Sequence, residues 1–233
     1  MSINTSLQHI FFDLDNTLWD HRKNAYLTIK EIFEREKVSE KYQLNFEEFH
    51  KEYFTINENL WAMIRDGQID KNYIREHRFH DSFMFFGIDD KELADKFEHN
   101  FLDEILTHNE LVEGASDLLE YLAPKYTLHI LSNGFEEVTY KKCELSGIKN
   151  YFATITSADE INVRKPQPEI FEYAMKKSGA SKEVSMIIGD DWIADVEGGL
   201  SFGMDAIFFD RFDDNLDTEV KTVKMLSEIK NFL

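Results

Sequence analysis

Residues 10–15, Ile-Phe-Phe-Asp-Leu-Asp, confine the fold of this chain more than any other stretch. Ile10, Phe11, Phe12 and Leu14 read as a strand buried on both faces, the kind found in sheets covered by helices on each side. Asp13 and Asp15 fall where that strand ends, and open α/β sheets bind ligands beyond the carboxyl ends of their strands. Two carboxylates about 4 Å apart repel by about 4 kcal/mol at an effective dielectric of ~20. A cation, a proton or a lysine must offset them. Composition offers a plainer account, since 45 of the 233 residues are Asp or Glu and chance pairs are common. A calcium loop of the EF-hand type fails on spacing, because its glycine and glutamate positions hold Leu18 and Asn24. The apolar strand followed by Asp13-x-Asp15-x-Thr17 is narrower than an acidic pair and reads as a catalytic site.

Beyond this strand the pattern turns helical and stays so. Ala25, Ile29, Ile32 and Phe33 recur at helical spacing, then Phe46, Phe49, Tyr53, Leu60 and Ile64 form one stripe. Gly67 ends that stripe, and two further helices are predicted over 71–86 and 91–107, separated at Gly87. From residue 111 helices alternate with strands predicted over 126–131, 152–156, 184–188 and 206–209. Helices are expected over 116–122, 136–146, 169–177, 193–202 and 220–232. This alternation predicts a doubly wound α/β core with a mostly parallel sheet. The core is expected to comprise 1–18 and 111–233, with 19–110 as an inserted helical cap over the strand ends.

Composition narrows the partners. A net charge of -19 disfavours nucleic-acid polymers and anionic membranes, but leaves room for a small anionic substrate in a locally neutralised site. One cysteine, Cys143, permits no internal disulfide and fits a reducing compartment. No basic leader or long apolar window is evident, so a soluble cytoplasmic protein is expected.

Three later sites also fall at predicted strand ends or in loops of the same sheet. Ser132-Asn133-Gly134 follows a strand and offers a hydroxyl and backbone N–H groups, as an anion nest does or a simple turn would. Lys165, in Arg-Lys-Pro-Gln-Pro, is held by prolines that favour extended backbone, with Pro168 suited to the next helix start. Alone it would be an ordinary surface lysine. Gly189-Asp190-Asp191 follows another apolar strand, with Asp195 one helical turn later; Asp190 and Asp191 are each also suited to capping a helix. Two strands ending in paired aspartates point to a divalent cation, and all-oxygen ligation points to Mg²⁺. His77 and His80, at i, i+3, are expected to form a helix face with no acidic partner at ligand distance. Cys143 and most cap aromatics are expected in the core; Trp19 and His21, next to the nucleophile loop, are better candidates than these for touching substrate, with a structural role the more expected one.

In order, spacing and context these motifs resemble the haloacid dehalogenase-like hydrolases over the whole chain. Asp13 to Thr17 is similar to the first motif of that family, Ser132 to the second, Lys165 to the third, and Gly189-Asp190 through Asp195 to the fourth. The resemblance implies that Asp13 is a nucleophile forming an aspartyl-phosphate and that Asp15 is the general acid and base. It implies Mg²⁺ held by Asp13, the Asp15 carbonyl and Asp190. Thr17, Ser132 and Asn133 would bind phosphate, Lys165 would balance charge, and Asp191 and Asp195 would support. Leu60-Trp61 through Gly67-Gln68-Ile69 to Arg78-Phe79, with Asn133 through Phe152, is similar to the branch of 5′-nucleotidases acting on pyrimidine and non-standard nucleotides. A phosphatase of small phosphorylated metabolites, nucleoside 5′-monophosphates first, is therefore expected. Sugar phosphates, phosphoglycolate, acyl sugar phosphates and phosphomutase chemistry are the alternatives. Asp15 argues against the dehalogenase branch, which lacks it, and retention of Asp13, Asp15 and Lys165 argues against a non-catalytic binding module.

Overall fold

The uninterrupted apolar run becomes strand β1 (His9–Phe12) of the computed structural model, which describes residues 6–233. The chain divides into two units, one running to His21 and resuming at Asn109, the other Arg22–His108. Helices α1 (His21–Arg35), α2 (Val38–Tyr42), α3 (Phe46–Arg65), α4 (Lys71–Phe85) and α5 (Lys91–Glu104) supply the second unit. Three of them start where a side chain accepts from free backbone N–H groups: Asn45 for α3, Asp70 for α4 and Asp90 for α5. Short α2, bracketed by left-handed Lys37 and Gln43, was not legible in the pattern. Phe49, Tyr53, Phe79, Phe83, Phe97 and Phe101 are buried in this unit, as is Arg78, which donates to Glu98 at 2.6 and 2.8 Å. Arg78 and Phe79 thus carry the packing of their own unit.

In the first unit, β2 (Thr127–Ser132), β3 (Phe152–Ser157), β4 (Ser185–Gly189), β5 (Asp205–Phe209) and β6 (Lys221–Val223) join β1 in one sheet ordered β3-β2-β1-β4-β5-β6. Every pairing is parallel. The order runs outward to β3 and then restarts on the other side of β1, so the sheet is doubly wound, with its switch point beside β1. The connecting helices are α6 (Ala115–Leu122), α7 (Glu136–Leu145), α8 (Pro168–Ser178) and α9 (Gly198–Phe202). Phe11 packs with Leu131, Ile170, Phe171 and Ile187 in the core on one side of the sheet. No helix among the described residues is long and apolar enough to cross a membrane.

Two sequence expectations are corrected. The helix expected over 193–202 starts as a widened π-type turn, Trp192–Glu197, before becoming α9. The helix expected over 220–232 is instead β6 followed by a 3₁₀ stretch, Leu226–Asn231. Lys221 to Val223 extends the sheet beside β5, while Leu226 and Ile229, three apart, share the buried face of a three-residue turn.

A buried imidazole crosses the sheet near the start of β1. His129 Nε2 lies 3.1 Å from His9 Nδ1, its Nδ1 lies 2.8 Å from Thr154 Oγ1, and its ring stacks on Phe11. Burial, reinforced by His9, pulls His129 from 6.5 down to about 4. Between those values the unfolded chain binds a proton that the native chain refuses, so this group's stabilisation, complete above pH 6.5, is lost as pH falls toward 4. Thermal denaturation should show the melting temperature falling across that window, and less steeply in His129→Gln. Equal slopes in the two proteins would remove His129 from the effect.

Candidate active site

Three strand ends meet at one edge of the sheet. Phe12 pairs with Ile130 in β2 and with Ile188 in β4, so Asp13, Ser132 and Gly189-Asp190 emerge side by side. The Asp13 N–H donates to Ile188 O at 2.9 Å, extending the ladder one residue past β1. The chain then turns sharply. Asn16 is left-handed (φ 65), a conformation asparagine tolerates, and the N–H groups of Leu18 and Trp19 return to Leu14 O at 3.0 and 2.8 Å. Arg211, beyond β5, braces the turn by donating to Asp20 Oδ2 at 2.5 Å.

Lys165 is the cation at the centre. It is 1% exposed, and its Nζ donates to Asp13 Oδ1 at 2.7 Å, Asp195 Oδ1 at 2.6 Å and Leu131 O at 2.7 Å. Those three bonds use all three ammonium hydrogens. Asn133 fixes the lysine backbone, donating to Lys165 O at 2.9 Å and accepting from Lys165 N–H at 2.8 Å. Its side chain is thus engaged with Lys165. Pro168 opens α8 directly afterwards.

Asp195 reaches Lys165 because residue 189 is glycine. A Cβ there would lie 2.1 Å from Asp195 Oδ2, an impossible approach. The same oxygen accepts from Asp191 N–H at 3.1 Å, while Asp191 Oδ1 caps the π-type turn through Ala194 N–H at 2.9 Å. Asp191 is exposed and acts as a cap; Asp195 is buried and orients Lys165. Thr17, fully buried, donates to Asp190 Oδ1 at 2.8 Å, and Ser132 Oγ accepts from Gly134 N–H at 3.0 Å.

Carboxylate oxygens of Asp13, Asp190 and Asp195 lie within 4.8 Å of one another. Burial raises Asp13 to about 7 against the pull of Lys165, with Asp195 and Asp15 adding repulsion. Asp190 is also pushed well above the ordinary carboxylate range, first by burial and then by Asp13 and Asp195. Lys165 alone cannot satisfy three desolvated carboxylates. Asp195 is occupied by Lys165 and Asp191, which leaves Asp13 and Asp190 as an all-oxygen pair whose charge a hard divalent cation such as Mg²⁺ would balance.

Asp15 has a separate cation that sequence reading missed. Lys142 Nζ donates to Asp15 Oδ1 at 2.5 Å, and His21 Nδ1 lies 3.7 Å from the same oxygen. Burial alone would raise Asp15, yet Lys142 and then His21 reverse the sign and hold it below the ordinary range. The signal was a lysine in the buried stripe Thr139, Lys142, Cys143 of α7. Cys143 is buried as expected, its thiol pushed up to about 12 by burial. Trp19 is fully buried under Lys142 Nζ, 4.4 Å from its ring centre, so it belongs to the interior rather than to a substrate surface. Asp81 does stand within reach of His77 and His80, at 3.3 and 3.0 Å, correcting the expectation of no acidic partner on that half-buried face of α4.

The sequence profile described as "Haloacid dehalogenase-like hydrolase" matches residues 10–209. YfnB of Bacillus subtilis is 28% identical over 84% of this chain and 81% of its own length. Its crystal structure, bound to magnesium, superposes with a TM-score of 0.87 at 25% identity over 97% of both chains. The pyrimidine 5′-nucleotidases PynA of Streptococcus pneumoniae (26% identity; 86% of this chain, 82% of the relative) and YjjG of Escherichia coli (27%; 84% and 82%) are similar over comparable spans.

The tight approach at Gly189 yields a direct test. Gly189→Ala should force Asp195 away from Lys165 and lower stability by about 1–3 kcal/mol, the usual cost of overpacking. Urea denaturation measures it, and an unchanged midpoint would show that the strand end accommodates a side chain.

Proposed function

The chain belongs to the haloacid dehalogenase-like hydrolase family, and from that premise we propose that it is a Mg²⁺-dependent phosphomonoesterase preferring nucleoside 5′-monophosphates. The observation that carries the chemistry is a buried Asp13 at a strand end, clasped by Lys165 at 2.7 Å and grouped with Asp190. The nucleotide preference is supported by the likeness to PynA and YjjG. The all-helical unit Arg22–His108 supports reading it as a helical cap, the part that would select the alcohol portion of the ester. A net charge of -19 fits a small metabolite rather than a nucleic-acid polymer, and a lone Cys143 suits the cytoplasm.

Asp13 attacks phosphorus, forming an aspartyl-phosphate as the bond to the leaving alcohol breaks, and Asp15 gives that alcohol its proton. Asp15 then takes a proton from water, whose oxygen attacks the same phosphorus; inorganic phosphate departs and the Asp13 carboxylate is restored. Asp13, Asp190 and the backbone carbonyl of Asp15 would hold Mg²⁺, which when bound neutralises carboxylates and phosphoryl oxygens together. Thr17 orients Asp190 through its 2.8 Å bond. The Ser132 hydroxyl and nearby backbone N–H groups bind phosphoryl oxygen, while Asn133 acts through Lys165.

Phosphate release should vanish with a chelator and return with added Mg²⁺, and full turnover by metal-free protein would overturn the metal assignment. Asp13→Asn should abolish turnover with the fold intact by circular dichroism; a rate within tenfold of wild type would place the nucleophile elsewhere. For specificity, kcat/KM for a pyrimidine nucleoside monophosphate should exceed that for ribose 5-phosphate by ~5–150-fold, the equivalent of about 1–3 kcal/mol of base stacking. Equal turnover of the two would redirect the assignment to sugar phosphates.

A further inference from the structure

Lysine is rarely buried without a partner, yet Lys142 is 3% exposed. Its Nζ has two neighbours of complementary character: Asp15 Oδ1 at 2.5 Å and the face of Trp19, 4.4 Å from the ring centre. The ring is itself fully buried and follows Asp15 in the turn after β1. Lys142 is therefore fixed by α7 on one side and by the catalytic turn on the other. Buried ion pairs are weak sources of stability, because desolvation offsets their attraction. A role in holding one carboxylate oxygen fits this arrangement better than a role in stability.

The other oxygen of Asp15 points elsewhere. A Cβ built on Gly134 would stand 3.1 Å from Asp15 Oδ2, 3.1 Å from Ser132 Oγ and 3.1 Å from Thr139 Oγ1. Oδ2 therefore shares a small space with Ser132, and that space stays open because residue 134 has no side chain. Oδ1 faces the ammonium and Oδ2 faces the strand ends.

We propose that Lys142 is a positioning residue for Asp15, anchoring Oδ1 so that Oδ2 delivers the proton to the leaving alcohol. The inference rests on the reading of Asp15 as the general acid. Lys142 and His21 favour an ionised Asp15 in the free protein, so the proton arrives with the ester, whose phosphate monoanion gives it to Oδ2; that Oδ2–H bond then breaks and the proton passes to the alcohol oxygen. The bond from that oxygen to phosphorus breaks, its electron pair staying with oxygen, while Asp13 bonds to phosphorus. Asp15 is left as a carboxylate whose Oδ1 is already paired with Lys142.

Such a role can be separated from scaffolding by the leaving group. An activated phenol departs without a proton, whereas an alkyl alcohol requires one, and kcat/KM reports only steps through the first loss of leaving group. Lys142→Met should lower kcat/KM for a nucleoside 5′-monophosphate by ~10²-fold or more, the lower end of general-acid contributions. For p-nitrophenyl phosphate the loss should stay within about tenfold, since that step needs little acid assistance. Lys142→Arg should recover much of the alkyl-ester rate, and it also serves as the test if the methionine variant does not fold. Asp15→Asn is the control. If it too loses more on the alkyl ester but the Lys142 variants lose equally on both substrates, Lys142 is a scaffold and the inference falls. If Asp15→Asn loses equally on both, the reading of Asp15 as acid fails first.

Discussion

Everything at the strand ends depends on one ammonium group buried among carboxylates. Lys165 spends its three hydrogens on Asp13, Asp195 and a backbone carbonyl. Removing one partner of such a buried pair typically costs about 3–5 kcal/mol, because the other charge is left uncompensated. The surrounding residues make sense as supports for that contact. Asn133 clamps the lysine backbone, Gly189 clears the path of Asp195, and Asp191 ties Asp195 through its own N–H.

The two aspartates of the opening motif, one residue apart, live in opposite environments. Burial lifts Asp13 to about 7 despite Lys165, whereas Lys142 and His21 hold Asp15 below its ordinary range against the same burial effect. The same burial thus ends in opposite shifts, set by the charges that each carboxylate meets. A dication beside Asp13 would favour its anionic form, while Asp15 already has a cation from α7. One strand end thus supplies two electrostatically distinct carboxylates without any difference in side-chain type.

Much of this was legible in sequence, because the signals were local. A continuous apolar run specified β1, and the alternation after residue 111 specified the parallel sheet. Where the structure groups Asp13, Ser132, Lys165, Asp190 and Asp195, each had been singled out by its place at a strand end or in a neighbouring loop. The misses were non-local or ambiguous in period. Lys142 contacts a residue 127 positions away, which no window reveals. Val223, Leu226 and Ile229 repeat every three residues, a spacing that a helix and a 3₁₀ turn share. Arg78 and Phe79, part of the segment that resembles the 5′-nucleotidase branch, are buried packing residues, since a motif shared with a family does not say which way a side chain faces.

The position of β1 in the chain has a consequence for biogenesis. His9 pairs with Thr127 on one side and Ser185 on the other, so the strand emerges from the ribosome long before either neighbour exists. Closing longer loops costs little in equilibrium terms, about 0.6 kcal/mol per doubling, but such distant contacts slow folding. Throughout that interval Ile10, Phe11 and Phe12 form an unpaired apolar segment, the type that associates with other chains. Charges beside such segments oppose that association. Asp13 and Asp15 sit immediately after the apolar run, so the two carboxylates act as gatekeepers of the nascent strand before any site exists for them to serve.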